Sequence, residues 1–274
     1  KISLDPLPDP IEIVVAAHFE SIHESMKSAQ VAMKHEVTAV ELMDKIILDC
    51  TKESIEYSKN RYFVEGDPKA LLMIEFRGKT LEEAMAKGEA LIADLKAAGY
   101  GYAYPIIEPE KVASAWALRA AGLGLLGNIP GDPKAVACIE DTAVDITDLA
   151  DYIDELDGIL AGFNQNPVHY AHAGAGEIHM RPILDLKKAE DVEEFYQISL
   201  ASAKLVKKYQ GSLSGEHGDG RVRAAFIPMM VGDKNYQLFR RIKYTWDPKN
   251  IFNPGKIVDA APMNQFLRYE IGMH

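Results

Sequence analysis

Cysteine is nearly missing from this chain. Cys50 and Cys138 are the only two in 274 residues, which excludes a disulfide scaffold and any iron–sulfur cluster held by cysteines of this chain alone. Positive charge is also short: 30 Lys and Arg stand against 41 Asp and Glu, a net charge of −11. No run is rich in Lys or Arg, so the electrostatic footprint of a nucleic-acid binder is absent. The same bias disfavours an anionic membrane surface, and a small anionic substrate would need a local patch of positive charge. No apolar run approaches the roughly 20 residues that span a bilayer. No signal peptide opens the chain, which starts Lys1-Ile-Ser-Leu-Asp-Pro-Leu-Pro8. That proline-punctuated start, with no initiator Met, reads as a piece of a longer polypeptide.

What is present suits a globular chain. A 47% hydrophobic and 26% charged composition can bury a substantial core in one large domain or two small ones. Residues 11–19 (IEIVVAAHF) form a short apolar run behind Pro10 and read as a buried strand. A helix is expected over 20–34, a second apolar run over 38–48 and a strand over 71–76. For 80–98 the helix signals are complete: Thr80 as cap, Glu83 closing a capping box, Gly99 as terminator. The pentapeptide Gly66-Asp-Pro-Lys-Ala70 returns as Gly131-Asp-Pro-Lys-Ala135. Gly-Asp-Pro turns the chain, and each copy is expected to feed a buried strand, 71–76 and 136–139. Helices are expected over 147–161, 191–210 and 236–244, the first with a solvated acidic face. The fold class that follows is α+β, with ferredoxin-like split βαβ repeats and an antiparallel sheet carrying helices on one face.

Two stretches concentrate chemistry: His172-Ala-Gly-Ala-Gly-Glu-Ile-His179 and Ser214-Gly-Glu216-His217-Gly-Asp-Gly220. Gly174 and Gly176 each cost a helix roughly 1 kcal/mol, so an extended segment broken by a Gly-Ala-Gly bend is expected, able to aim both imidazoles at one point. Singly, each histidine is explained by backbone hydrogen bonds. With Glu216 the pair forms a common ligand set for a divalent metal with an open position. His217 is then left to act as a base, since histidine exchanges protons near neutral pH. The bland alternative is a glycine-rich turn whose polar residues cap strands.

Gly122-Leu-Gly124-Leu-Leu-Gly127 matches G-x-G-x-x-G by letter, but the fingerprint needs a strand before it and a helix after it. Here 112–121 is helical and Pro130 and Pro133 follow, so a helix C-cap with a glycine loop is expected. No P-loop is present. Arg119, in Trp116-Ala-Leu-Arg119, is either a salt-bridge residue or the fixed guanidinium that an organic-acid site needs. Arg181, Arg221 and Arg223 are weaker candidates beside the two loops, and Lys256 reads equally as an exposed turn residue.

These two motifs, with Ile242-Lys-Tyr-Thr-Trp-Asp-Pro248 and Asn253-Pro-Gly-Lys-Ile257, resemble the C-terminal domain of FAD-linked oxidases: the D-lactate dehydrogenases, D-2-hydroxyglutarate dehydrogenases and glycolate oxidase subunits. Arg181-Pro-Ile-Leu-Asp185 and Ile139-Glu-Asp-Thr-Ala-Val144 resemble the large bacterial branch, in which an iron–sulfur domain lies downstream. The resemblance covers most of the chain, strongest from about Val112 onward. It implies that 1–274 is one substrate or cap domain of an FAD-dependent oxidoreductase acting on the CH–OH of a 2-hydroxy acid. The flavin-binding domain of the same polypeptide would lie upstream, and the isolated chain would not turn over. It carries a divalent metal, Zn or Mn, onto His172, His179 and Glu216. The base role falls on His217, the grip on the substrate carboxylate on Arg119, and proximity to the flavin on Asn253 and Lys256. A homo-oligomer is also allowed. The expected location is cytoplasmic, or peripheral to the inner membrane through an electron acceptor. The chain departs from the broader family pattern at Ala175 and Glu177, where Asp and Asn are usual, and near Ile139, where some relatives use a lysine. Two other readings stay open: a metal-dependent hydrolase, which needs no electron acceptor, and an assembly module, which needs no metal.

Overall fold

The computed structural model describes residues 2, 4, 6–52, 54–125 and 129–273. In chain order its elements are β1 (Ile11–Phe19), α1 (Ile22–Ala32), β2 (Val37–Asp44), α2 (Lys45–Lys52), β3 (Ala70–Gly78) and α3 (Leu81–Ala98). Next come β4 (Ile106–Ile107), α4 (Pro109–Leu125), β5 (Lys134–Ala135), β6 (Thr142–Ala143), α5 (Leu149–Gly162), β7 (Tyr170–His172) and β8 (Glu177–Ile178). The last are β9 (Ile183–Leu184), α6 (Ala189–Lys208), α7 (Ile227–Val231) and α8 (Asp233–Trp246). The chain divides into two compact units, Lys1–Asn128 with His169–Gly176, and Ile129–Val168 with Glu177–His274.

In the first unit the strands lie in the order β4-β1-β3-β2, every pair antiparallel. The connection β1-α1-β2 leaves a gap that β3 fills, and β3-α3-β4 leaves one that β1 fills. Each is a split βαβ, so the ferredoxin-like expectation is met within this unit. The later segment returns β7 to the far side of β2, pairing Leu42 with Ala171 and Met43 with Tyr170. β1 is apolar almost throughout because it is covered on both faces. Gly88 of α3 lies over Ile13 and Val15, where a Cβ would stand 3.0 Å from Ile13 Cδ1. Glu75, opposite Val14 and therefore on the other face, accepts from Trp116 Nε1 of α4 at 3.1 Å. Helices α1 and α3 occupy the expected face, and α4 adds cover to the second.

Helix α3 keeps its expected cap and terminator, but Glu83 accepts from Lys79 N–H at 2.9 Å rather than closing the box on Thr80. The Thr80 side chain accepts from Glu83 N–H at 3.2 Å, and Gly99 ends the helix with φ 74°. α4 departs from expectation, running on through the glycine run to Leu125. The reason is packing: a Cβ on Gly122 would stand 2.5 Å from Ile47 Cγ2 of α2, so this glycine buys helix–helix contact rather than a cap. Gly127 lies outside the described residues.

One histidine in this unit is purely internal. His18, fully buried at the end of β1, has Nδ1 2.8 Å from Ala16 O, while Nε2 accepts from Glu65 N–H at 3.0 Å. Both ring nitrogens are thus committed to a neutral tautomer, and burial pushes the imidazole below the usual histidine range. The unfolded chain therefore takes up this proton before the folded one does. The linked stability is full above about pH 6.5 and is lost as pH falls below it, by at most about 1.4 kcal/mol per unit for one group. Urea unfolding at pH 7.5 and 5.5 should show this loss, and His18→Gln should shrink it. An equal pH dependence in the two proteins would assign the effect elsewhere.

In the second unit the strands are short. β5 pairs with β9 and β6 with β8, both antiparallel, and Ala143 also bridges Ser212. The second pentapeptide feeds only the two residues of β5, and no strand covers 136–139. After Val136 N–H bonds Pro182 O, Cys138 N–H folds back to Val136 O, and the ladder stops. Burial pushes the Cys138 thiol up to about 12, an inert core sulfur. Helix α5 buries Leu149, Tyr152, Ile153, Leu156 and Leu160, while Asp151, Asp154 and Glu155 face solvent, as the acidic face requires. Among the described residues, no helix is long and apolar enough to cross a membrane.

Candidate functional site

A buried ionic cluster lies in the first unit. Arg119, on the buried face of α4, is 8% exposed and pairs with Glu41 of β2. It donates to Ala171 O at 3.1 Å and lies over the Tyr170 ring, 4.1 Å from its centroid. Its Nε has no hydrogen-bond partner among the described residues. Glu41 also meets His172, whose Nδ1 lies 2.8 Å from Oε2 and 3.0 Å from Oε1. An ionised carboxylate only accepts, so Nδ1 carries the hydrogen and Nε2 becomes the lone-pair nitrogen. This is the arrangement that orients metal-binding histidines. β7 ends at His172, a single 3₁₀ turn Ala173–Ala175 follows, and Gly176 closes it with φ 69°. The expected bend is present.

In the second unit the loop 214–220 has no regular structure, and Asp141 holds much of it. Asp141 is fully buried; its Oδ1 accepts from Glu216 N–H at 2.9 Å, and its Oδ2 from His217 N–H at 3.1 Å and from the Ser214 hydroxyl. Burial alone would push this carboxyl up, but hydrogen bonds from Glu177, Ser214 and the N–H groups of Glu216 and His217 hold it well below the usual carboxylate range. Gly215 has no room for a side chain, since a Cβ would stand 2.6 Å from the Glu177 carboxyl carbon.

Six acid and imidazole side chains gather there. His179, 3% exposed, has Nε2 3.8 Å from Glu216 Oε1 and 4.0 Å from Glu177 Oε1. The His217 ring stacks on it at 5.3 Å between centroids, with Nε2 3.4 Å from Glu216 Oε1 and Nδ1 3.7 Å from Glu140 Oε1. Asp141, His179 and His217 each bring a donor atom within 4.8 Å of the others, as do Asp141, Glu177 and Glu216. Imidazole and carboxylate donors packed this closely suit a divalent cation, and His179 with Glu216 supplies one of each.

The remaining candidates fall into place around these clusters. Arg181 is taken by Glu140. Arg223 donates to Glu140 O at 2.8 Å and Gly218 O at 2.6 Å, and Arg221 to Gln265 O at 3.0 Å. Asn253 is exposed with φ 47° and Lys256 is half-buried. Their turn is set by Asp247, whose carboxylate accepts from Ile251 N–H at 2.8 Å and Phe252 N–H at 2.9 Å. Sequence reasoning missed Glu41 and the loop-holding part of Asp141. The signal for Glu41 was an acid inside the apolar run 40–43, which a buried strand tolerates only with a partner.

Residues 10–257 match the family described as FAD linked oxidases, C-terminal domain. The chain is 32% identical over 265 residues to a D-2-hydroxyglutarate dehydrogenase of Pseudomonas putida, a match covering 94% of this chain and 26% of that protein. It is 27% identical over 194 residues to the glycolate oxidase subunit GlcD of Bacillus subtilis, covering 69% of this chain and 39% of that protein. The chain therefore spans from about a quarter to two fifths of the length of these curated relatives. Among solved structures, a p-cresol methylhydroxylase with substrate bound matches with a TM-score of 0.65 at 13% identity, over 92% of this chain and 54% of that one. That likeness is one of fold.

Proposed function

The chain belongs to the family of FAD linked oxidases, C-terminal domain, and on that premise we propose that it is the substrate-side domain of an enzyme that oxidises D-2-hydroxy acids to 2-oxo acids. The observation that carries the reading is the His217 imidazole, stacked on His179 and beside Glu216 on a loop fixed from below. Oxidation of a 2-hydroxy acid removes a hydride from Cα and a proton from the hydroxyl. His217, 44% exposed at its side chain, is proposed to take the proton as a general base. Arg119, oriented by Glu41 and Tyr170, is proposed to hold the substrate carboxylate through its remaining donors. His172, His179 and Glu216 are the proposed ligands of a divalent cation. The cation, when bound, would favour loss of the hydroxyl proton, and the flavin of the larger protein would accept the hydride. Asn253 and Lys256, on the exposed turn set by Asp247, are proposed to face that flavin.

Elemental analysis of the purified protein tests the cation. Near-stoichiometric zinc or manganese is expected, and His179→Ala and Glu216→Ala, each removing one donor, should each lose most of it. Metal retained in full by both variants would remove these residues from the ligand set. Flavin bleaching by D-2-hydroxyglutarate, D-lactate or glycolate in the full-length protein tests the reaction.

A further inference from the structure

We propose that Asp141 is a positioning residue for Glu216 and His217, braced by Arg223, an inference that rests on the function proposed above. The loop 214–218 has no strand or helix to hold it, yet it is fixed at five points. The Ser214 hydroxyl and the N–H groups of Glu216 and His217 all donate to the Asp141 carboxylate. Gly215 N–H donates to Asp141 O at 2.7 Å, and Gly218 O accepts from Arg223 at 2.6 Å.

The direction of these bonds argues for more than general stability. Two successive N–H groups converge on one carboxylate, which sets the peptide planes on both sides of Glu216 and hence where the Cα–Cβ bonds of Glu216 and His217 point. Asp141 is itself anchored. Its N–H bonds Ile178 O at 2.8 Å, in the strand that leads into His179. Its φ of 78° lies in the left-handed region that Asp tolerates better than most residues. The same short backbone thus ties the loop to the segment carrying His179. Arg223 closes the frame: one guanidinium bonds Glu140 O at 2.8 Å and Gly218 O, and lies 3.5 Å from the Asp141 carboxylate. Neither residue needs to touch substrate. A shift of about 1 Å in such a group costs roughly 100-fold in rate, the scale expected if the frame is cut.

The test uses the full-length flavoprotein carrying Asp141→Ala, Asp141→Asn or Arg223→Lys, with hydrogen exchange, cation retention and kinetics measured on each. Asp141→Ala is expected to speed amide exchange at Glu216 and His217 at least tenfold, to weaken cation retention and to lower kcat about 100-fold, with KM within about threefold. Asparagine keeps one acceptor oxygen and should fall between, which an unspecific loss of packing would not produce. If the alanine variant fails to fold, Asp141→Asn and Arg223→Lys carry the same comparison. Unchanged exchange at the two amides, or lost protection with kcat and cation retention intact, would overturn the proposal. A wild-type protein that oxidises none of the acids would sink the functional reading instead, and exchange with cation retention would still decide the role of Asp141.

Discussion

Glu41→Ala is expected to lower the unfolding free energy by about 3–5 kcal/mol, the usual cost of removing one partner of a buried ion pair. The side chains of Arg119 and Glu41 are only 10% and 15% exposed, so water screens the pair weakly. Without Glu41 the guanidinium keeps Ala171 O and the Tyr170 face, neither of which carries a compensating charge. Glu41→Gln should cost less, because its amide oxygen still accepts from one donor. The double variant Glu41→Leu with Arg119→Met should recover most of the loss, since an apolar pair of similar volume removes both desolvation costs. Urea unfolding of the single and double variants gives the coupling energy directly. A loss under about 1 kcal/mol in Glu41→Ala would place the pair among the weak, solvent-screened ones. The cycle also bears on function: His172 loses the Glu41 acceptor in Glu41→Ala and Glu41→Leu, so cation retention should fall with stability in those variants but stay intact in Arg119→Met.

That cluster marks where reading the sequence alone ran out. Local signals were legible because their physics is local. The run at 11–19 reads as β1 because a short, β-branched apolar run behind Pro10 suits a strand buried on both faces. Thr80, Glu83 and Gly99 bound α3 through contacts within one turn. The His172, His179, Glu216 and His217 motifs were visible because glycine-rich loops bearing imidazoles are uncommon. Glu41 was opaque because its partners lie far along the chain, the His172 contact spanning 131 residues. The two-residue strands of the second unit were equally opaque. β6 is held by Ser212, and a Cβ on Gly211 would stand 2.3 Å from Ala143 O, so a contact between distant segments, with no apolar periodicity, makes the strand. Gly122 misled for a related reason. Three glycines in a helical stretch signal an end, yet Gly122 and Gly124 both lie inside α4, Gly122 where Ile47 must be admitted.

His217→Asn should lower turnover by about 10²–10⁴-fold, the usual contribution of a positioned general base, while the protein stays folded. The side chain is 44% exposed, and its contacts are a stack on His179 and carboxylate neighbours at 3.4–3.9 Å. The bond that places the loop runs from the His217 main-chain N–H to Asp141, and asparagine keeps it. Single-turnover reduction of the flavin isolates the step, because in the proposed reaction the proton leaves as the hydride is transferred, before any electron acceptor acts. The loss should fall on that rate, with substrate affinity within about threefold, as expected for an interaction made only in the transition state. Cation content separates the two roles open to this imidazole. His217 stands in one of the donor sets close enough to hold a metal, so a ligand would lose the ion with its ring, whereas a base would not. Metal content equal to wild type with flavin reduction slowed a hundredfold or more assigns the base. Loss of the ion makes His217 a ligand, and an unchanged rate moves the proton acceptor elsewhere, with Glu140, 3.7 Å from its ring, as the next residue to replace.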